Sequence, residues 1–183
     1  MKQPISEVYH GDCMDFMRDL PGGYFDLVLA DPEYGADDAI GLLNSNKHRA
    51  KRGKYKVFKN ERPEIEFFEE LFRVSKNWMV WGGNYFGLSG GAIVWNKFGT
   101  AFGEAEIAIC STHKSVRIFE YAWNGMIQQD MANKERRIHV TQKPIPLYKY
   151  LLTNYAKPGQ KIFDPMMGSQ SSRIAAWDMG YGV

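Results

Sequence analysis

The stretch FDLVLADPEY, residues 25–34, decides the fold class. Apart from Asp26, its first six residues are apolar, which is typical of a strand buried on both faces. Asp31, Glu33 and Tyr34 follow at once, so we expect them at the carboxyl end of that strand. Parallel sheets bind their ligands at this end. The stretch therefore predicts a site as well as a strand.

Strands and helices alternate along the rest of the chain. Short apolar runs predict further strands at residues 8–10, 78–81, 92–95, 106–110, 116–121 and 161–163, with 106–110 and 116–121 forming a pair. Apolar spacing, with Pro and Gly at the ends, predicts helices at residues 13–20, 64–74, 145–155 and 169–179. The pattern indicates one α/β domain, residues 1–183, with helices on both faces of a mostly parallel sheet.

Composition narrows the class of protein. The chain has 183 residues, 44% of them hydrophobic and 24% charged, and a net charge of +2, which is ordinary for one globular domain. The N-terminal segment is not apolar, no apolar run has membrane-spanning length, and Cys13 and Cys110 have no paired spacing. We therefore expect a cytoplasmic protein with no membrane partner. Because His10, His113 and His139 lack paired ligand spacing, we expect no metal.

Two loops at strand ends carry candidate chemistry. The first, Asp31-Pro32-Glu33-Tyr34, places a carboxylate, a carbonyl and an aromatic ring together. The second, FDPMMGS at residues 163–169, precedes a helix; its glycine and the free N–H groups of that helix can admit a ligand. Read alone, the first loop also fits a plain turn and the second an ordinary helix cap.

These residues carry a resemblance to a known family. Asp31-Pro32-Glu33-Tyr34 resembles the DPPY loop of amino-directed DNA methyltransferases, and residues 163–172 resemble their methionine-binding loop. Thr141-Gln142-Lys143-Pro144 is similar to the segment before that loop, and Gly11-Asp12-Cys13 to the family's first loop. The order of these motifs is the permuted one of the beta class, and residues 81–125 look like its phage and prophage branch. The resemblance covers nearly the whole chain.

The resemblance implies a Rossmann-like fold, S-adenosylmethionine as cofactor and double-stranded DNA as partner, in a bacterial or phage-infected cell and in a restriction-modification setting. Asp31, Pro32, Glu33 and Tyr34 would form the catalytic loop. An exocyclic amine is a poor nucleophile, so a carboxylate and a carbonyl that accept its N–H bonds favour attack, while Tyr34 offers a stacking face for a flipped base. An aspartate at the first position favours adenine N6, with cytosine N4 as the alternative.

The same resemblance assigns the cofactor site. Its residues would be Asp12, Thr141, Lys143, Asp164, Pro165, Met166, Gly168, Ser169 and Ser171. Of these, Asp12 would approach the adenine ring of the donor, and the others would border or flank its methionine part. Met166 and Met167 also fit apolar core positions.

DNA contacts are predicted in two basic stretches. A loop at about 44–62 is rich in cations and almost free of acids, which suits phosphate neutralisation. A target-recognition-like stretch at about 123–140 carries a smaller cluster. The candidate residues are Lys47, Arg49, Lys51, Arg52, Lys54 and Lys56 in the first, and Lys134, Arg136 and Arg137 in the second. A solvated loop is the alternative for both.

Three departures from the family pattern support a rival hypothesis, an inactive and truncated DNA-binding remnant. Glu33 replaces a proline, and Gln170 replaces a glycine, where its side chain would crowd the donor. The sequence ends at Val183, where the family continues with a strand whose acidic residue holds the donor ribose. We therefore expect weak donor binding and an unpaired edge at 161–163, to be filled by residues 8–10, by a second subunit in a homodimer, or not at all. A small-molecule or RNA methyltransferase is a third alternative.

Overall fold

The computed structural model describes residues 5–35, 61–99, 103–124, 126–139 and 141–182. Within these ranges it has six strands, four α-helices and one short 3-10 helix. The strands are β1 Leu27–Ala30, β2 Trp78–Trp81, β3 Gly91–Asn96, β4 Ala105–Cys110, β5 Val116–Glu120 and β6 Ile162–Phe163. The α-helices are α1 Cys13–Arg18, α2 Ile65–Val74, α3 Ile145–Tyr155 and α4 Ser171–Met179, and the 3-10 helix is Gly83–Phe86.

All six described strands form one sheet in the order β5-β3-β4-β2-β1-β6. Strand β1 pairs in parallel with β2 on one side and with β6 on the other, and β3 pairs in parallel with β5. Strand β4 runs antiparallel to both β2 and β3. Because β1 and β6 are parallel neighbours, the loops that follow them meet at one edge of the sheet.

Strand β1 is buried on both faces, as its apolar sequence predicts. Leu27 and Leu29 face a core shared with α3 and α4, while Val28 and Ala30 face a second core shared with α1 and α2. Alternation along a strand sends successive side chains to opposite faces. Helices therefore cover both faces, and the predicted layer architecture is confirmed.

Two predictions about strands are wrong. Residues 8–10 form no strand; Val8 and Tyr9 are exposed, and the Tyr9 ring stacks on Phe16 with centroids 5.2 Å apart. The strands predicted at 106–110 and 116–121 exist as β4 and β5, but β3 lies between them and pairs with each. Apolar alternation decides which face of a strand is buried, and it carries no information on which strand is its neighbour.

The edge strand is not wholly unpaired, contrary to expectation. Gly182 forms a parallel bridge with Lys161, directly before β6. A Cβ added to Gly182 would lie 3.0 Å from the carbonyl oxygen of Ile5, so the N-terminal segment packs on the outer side of this bridge. Weak donor binding stays a prediction.

None of the helices in the described ranges is both long and apolar enough to cross a membrane.

Replacing Leu71 by Ala should lower the free energy of unfolding by about 2–5 kcal/mol, because Leu71 is fully buried between α2 and the sheet. Ile65→Ala in the same helix is the control; Ile65 is 68% exposed, and its loss should change stability by less than about 1 kcal/mol. Urea unfolding measures both variants. Equal losses would contradict the packing described for α2.

Candidate active site

A cleft of about 270 Å³ lies where the loops after β1 and β6 meet. Three segments far apart in sequence line it: the loop after β1, the segment before α3 together with the first turn of α3, and the loop after β6. The lining residues are Asp31, Glu33, His139, Thr141, Gln142, Lys143, Tyr148, Met166, Met167, Gly168 and Ser169. The catalytic-loop, TQKP and donor-loop motifs singled out in the sequence therefore converge on one cavity.

Asp31 begins the loop that follows β1, and one of its oxygens is held by two donors. The Tyr34 hydroxyl donates to Oδ1 over 2.9 Å, and the Lys143 ammonium donates to the same oxygen. Within the described ranges no partner contacts Oδ2. The arrangement fixes the orientation of the carboxylate and keeps one oxygen able to accept a further hydrogen bond.

Lys143 is the centre of the polar contacts beneath the cleft. Its side chain is only 5% exposed, and its Nζ lies 3.2 Å from the Tyr34 hydroxyl and 3.1 Å from Oε2 of Glu106, besides the bond to Asp31. The three N–H bonds of the ammonium thus have three partners. Burial alone would lower the pKa of Lys143, but Asp31 and Glu106 outweigh it and hold the pKa above its usual value.

Glu106 and Lys97 belong to the same group of charges, and the sequence analysis missed both. Lys97 Nζ donates to Oε1 of Glu106 over 2.8 Å, and its side chain is 5% exposed. Burial would raise the pKa of Glu106, but Lys143 and Lys97 together lower it to about 2. The sequence does show a charged residue near each of these strands: Lys97 directly follows β3, and Glu106 is the second residue of β4. Such charges by themselves also fit solvated strand ends.

Glu33, the departure from the family's proline, lines the cleft beside Asp31. It is half-buried, and desolvation followed by the charge of Asp31 raises its pKa to about 7. A carboxyl group whose pKa lies near neutral pH is therefore next to Asp31 in the cleft. Lys143 acts in the opposite direction and moderates the shift.

The loop after β6 is organised around Asp164. This buried carboxylate accepts hydrogen bonds from the Ser172 hydroxyl and from the backbone N–H of Met166, the latter over 3.0 Å. Burial raises the pKa of Asp164 to about 6, against the lowering effect of those bonds. Gly168 has φ +46°, and the hydroxyls of Ser169 and Ser171 lie 2.9 Å apart.

The backbone conformation of Gln170 is one that favours glycine, the residue usual at this position in the family that the sequence resembles. Its φ is +61°, in the left-handed region that favours glycine, and helix α4 begins directly after it instead of at residue 169 as predicted. The side-chain oxygen accepts a hydrogen bond from Arg173 over 2.8 Å, and Gln170 is not among the residues that line the cleft. Crowding of the donor by this side chain stays a prediction.

Asp12 and Tyr34, two of the predicted site residues, are not among the residues that line the cleft. Asp12 is exposed and caps α1, where its Oδ1 accepts from the Met14 N–H over 2.8 Å. The Tyr34 ring stacks on the half-exposed Tyr85 with centroids 5.3 Å apart, in space that Gly82 leaves open for it. Met166 lines the cleft and also packs against the second core, as the sequence suggested for at least one methionine.

Only some of the basic residues predicted to contact DNA lie in the described ranges. Lys47, Arg49, Lys51, Arg52, Lys54 and Lys56 lie outside the described residues. In the second stretch, Lys134 donates to the carbonyl of Met126 over 2.7 Å, and Arg137 donates to the carbonyls of Asn124 and His139. Arg136 is exposed. Lys134 and Arg137 therefore bond to backbone carbonyls within their own stretch. Phosphate contact by any of these residues stays a prediction.

Comparison with known proteins gives a consistent result. Residues 47–182 match the model of a family described as DNA methylase, of the N6/N4 type. The chain is 23% identical to YubD of Escherichia coli (strain K12), described as a methylase, over 96% of this chain and 82% of that protein.

Solved structures share the fold at low identity. TTHA0409 of Thermus thermophilus, described as a DNA modification methylase, is 13% identical with a TM-score of 0.58, over 98% of this chain and 87% of that one. M1.HpyAVI in complex with SAM is 16% identical with a TM-score of 0.58, over 97% and 91%. The PvuII cytosine-N4-specific DNA methyltransferase is 10% identical with a TM-score of 0.58, over 99% and 83%. The predicted methyltransferase fold is confirmed.

Replacing Glu33 by Gln should flatten the pH dependence of stability between about pH 4.5 and pH 7. The pKa of Glu33 rises from 4.5 to about 7 on folding, so the stability it contributes is complete below its unfolded pKa and is lost as the pH rises through 7. Urea unfolding at several pH values measures the effect, with Glu66→Gln on the exposed face of α2 as the control. Parallel profiles for parent and Glu33→Gln would contradict it.

Proposed function

The chain belongs to the N6/N4 DNA methylase family, and from that membership we propose that its cleft transfers a methyl group from S-adenosylmethionine to the N6 amine of adenine in duplex DNA. The observation that carries the proposal is the position of Asp31. Its carboxylate has one oxygen held by Lys143 and Tyr34, and it lines the same cleft as the loop after β6. An acceptor for the amine and a site for the donor are therefore adjacent.

The loop after β6 suits the donor chemically. S-adenosylmethionine carries an ammonium group, and the buried carboxylate of Asp164 stands at the base of this loop. The methionine side chains of Met166 and Met167 offer apolar, polarisable contacts, and Gly168 has no Cβ to keep a ligand from the backbone. Thr141 and Lys143, from the segment before α3, would flank the donor, and Asp12 would reach its adenine ring. The residues that would hold its methionine part are Asp164, Pro165, Met166, Gly168, Ser169 and Ser171.

When bound, the donor would supply a methyl group from a positively charged sulfur: the sulfur keeps the C–S electron pair, the amine nitrogen forms the C–N bond, and the nitrogen then loses one N–H proton to solvent. The residues of this chain then act on the amine. Oδ2 of Asp31 and the carbonyl of Pro32 accept its N–H bonds, which favours the positive charge that develops on nitrogen. The Tyr34 hydroxyl and Lys143 keep Oδ1 of Asp31 in place, so the acceptor is oriented before the base arrives. Preorganisation of this kind lowers the reorganisation needed during transfer.

The choice of adenine rests on Asp31, since the family resemblance associates an aspartate at this position with adenine. The PvuII enzyme shares the fold and is cytosine-N4-specific, so the fold serves both bases. Double-stranded DNA as substrate, and the phage and restriction-modification settings, belong to this proposal too. Gln170, one ground for the rival hypothesis of an inactive remnant, has its side-chain oxygen bonded to Arg173 and is not among the residues that line the cleft.

Replacing Asp31 by Asn should reduce methyl transfer by about a hundredfold or more, because loss of a transition-state acceptor typically costs about 3 kcal/mol. Binding of S-adenosylmethionine should persist, since Lys143 keeps Glu106 as counter-ion and the loop after β6 is untouched. Incorporation of labelled methyl into DNA and calorimetry of donor binding measure the two effects. Asp178→Asn, an exposed surface carboxylate, is the control. Near-parental turnover by Asp31→Asn would remove Asp31 from the mechanism.

Duplexes that are methylated beforehand should separate the two bases. If adenine N6 is the acceptor, a duplex whose adenines all carry an N6-methyl group should accept no label, whereas one whose cytosines all carry an N4-methyl group should accept as much as unmodified DNA. Initial rates on the three duplexes measure this. The reverse pattern would make this chain a cytosine methyltransferase.

A further inference from the structure

Four buried or partly buried charges form a row across one edge of the sheet. Lys97 contacts Oε1 of Glu106 at 2.8 Å, Oε2 of Glu106 contacts Lys143 at 3.1 Å, and Lys143 contacts Oδ1 of Asp31. The signs alternate along the row, and its last member is the carboxylate that borders the cleft. Resting on the proposed function, we propose that Glu106 is a positioning residue for methyl transfer, which acts on Asp31 through Lys143.

The sheet topology explains how Glu106 reaches this place. Strand β4 runs antiparallel to β2, with Ala108 opposite Trp81, the last residue of β2. Glu106 is two residues nearer the start of β4, so it lies just beyond the carboxyl end of β2, beside the end of β1. On its other side β3 places Trp95 opposite Glu106, and Lys97 follows two residues later. An antiparallel strand inserted into a parallel sheet thus brings a carboxylate to the edge where the site lies.

The charges in this row indicate an electrostatic role for Glu106. Lys143 orients Asp31, but its positive charge also opposes the positive charge that must develop on the target amine. Glu106 lies on the far side of the same ammonium and offsets that charge, because ionised groups about 3–6 Å apart interact strongly in a poorly solvated site. Asp31 can therefore be held by a cation and still act as an anion toward the amine.

Stability alone is a weak explanation for the row. Buried ion pairs are often no more stabilising than apolar residues of the same size, although breaking one pair leaves a costly unpaired charge. Lys97 and Lys143 are each 5% exposed, so both lysines are desolvated. Lys97 pairs with Glu106, and in the described part of the chain no ion pair or hydrogen bond joins it to Asp31, so a change at Lys97 reports on stability without touching the acceptor.

The test compares Glu106→Gln, Lys97→Met and the double variant with the parent chain. Lys97→Met breaks the Lys97–Glu106 pair, and Glu106→Gln breaks this pair and the Glu106–Lys143 pair, so both variants should lose thermal stability. The double variant should regain part of the loss of Glu106→Gln, because the desolvated Lys97 ammonium that has lost Glu106 is then absent. Turnover should behave differently. Glu106→Gln and the double variant should both lose about tenfold or more in kcat, the effect of one charged hydrogen bond, with KM for donor and DNA unchanged. Lys97→Met should keep most of its kcat.

The outcomes are distinct. A kcat that follows thermal stability across the three variants, including recovery in the double variant, would overturn the positioning role and leave Glu106 a structural residue. A kcat that stays low in the double variant despite its regained stability supports the role. A parent chain that binds S-adenosylmethionine and never methylates DNA would overturn the proposed function, and this inference with it.

Discussion

The ion pair between Lys143 and Asp31 is the interaction on which the site depends. The two residues are 112 positions apart, and their contact joins the loop after β1 to the segment before α3. Tyr34 bonds to both of them, so three side chains hold one another in a single arrangement. The loop after β6 completes the cleft because β6 lies beside β1. Without this pair, the segment before α3 would keep its contact with Glu106 in β4 and lose its ion pair with the loop after β1.

A buried ammonium needs compensation, and the surroundings of Lys143 provide it from two sides. Asp31 and Glu106 hold the pKa of the lysine above its usual value despite burial, and Lys97 in turn helps to lower the pKa of Glu106 to about 2. Lys143 and Glu106 are therefore both held in their charged forms, whereas burial raises the pKa of Glu33 to about 7 and that of Asp164 to about 6. A carboxyl group with a pKa of about 7 beside Asp31 gives the loop after β1 a property that a second proline would not provide.

Much of the fold could be predicted from sequence, because β1 and the amphipathic helix α2 bury residues at regular spacing. The motifs also located the walls of the cleft, from the loop after β1 to the loop after β6. Contacts between distant residues could not be predicted: nothing in the sequence pairs Glu106 with Lys143, or places β3 between β4 and β5. The left-handed backbone of Gln170 was equally hidden, since a non-glycine residue at positive φ is uncommon. Such features arise from tertiary packing, which local pattern does not encode.

In the proposed reaction, Asp31 accepts the N–H bonds of an adenine amine while the loop after β6 holds the methyl donor. The most direct measurement is the mass of the nucleosides released from DNA after incubation with the parent chain and isotopically labelled S-adenosylmethionine. We expect labelled N6-methyldeoxyadenosine after incubation with the parent chain and none after incubation with the Asp31→Asn variant. Label in N4-methyldeoxycytidine, or the same amount of labelled product with Asp31→Asn, would contradict it.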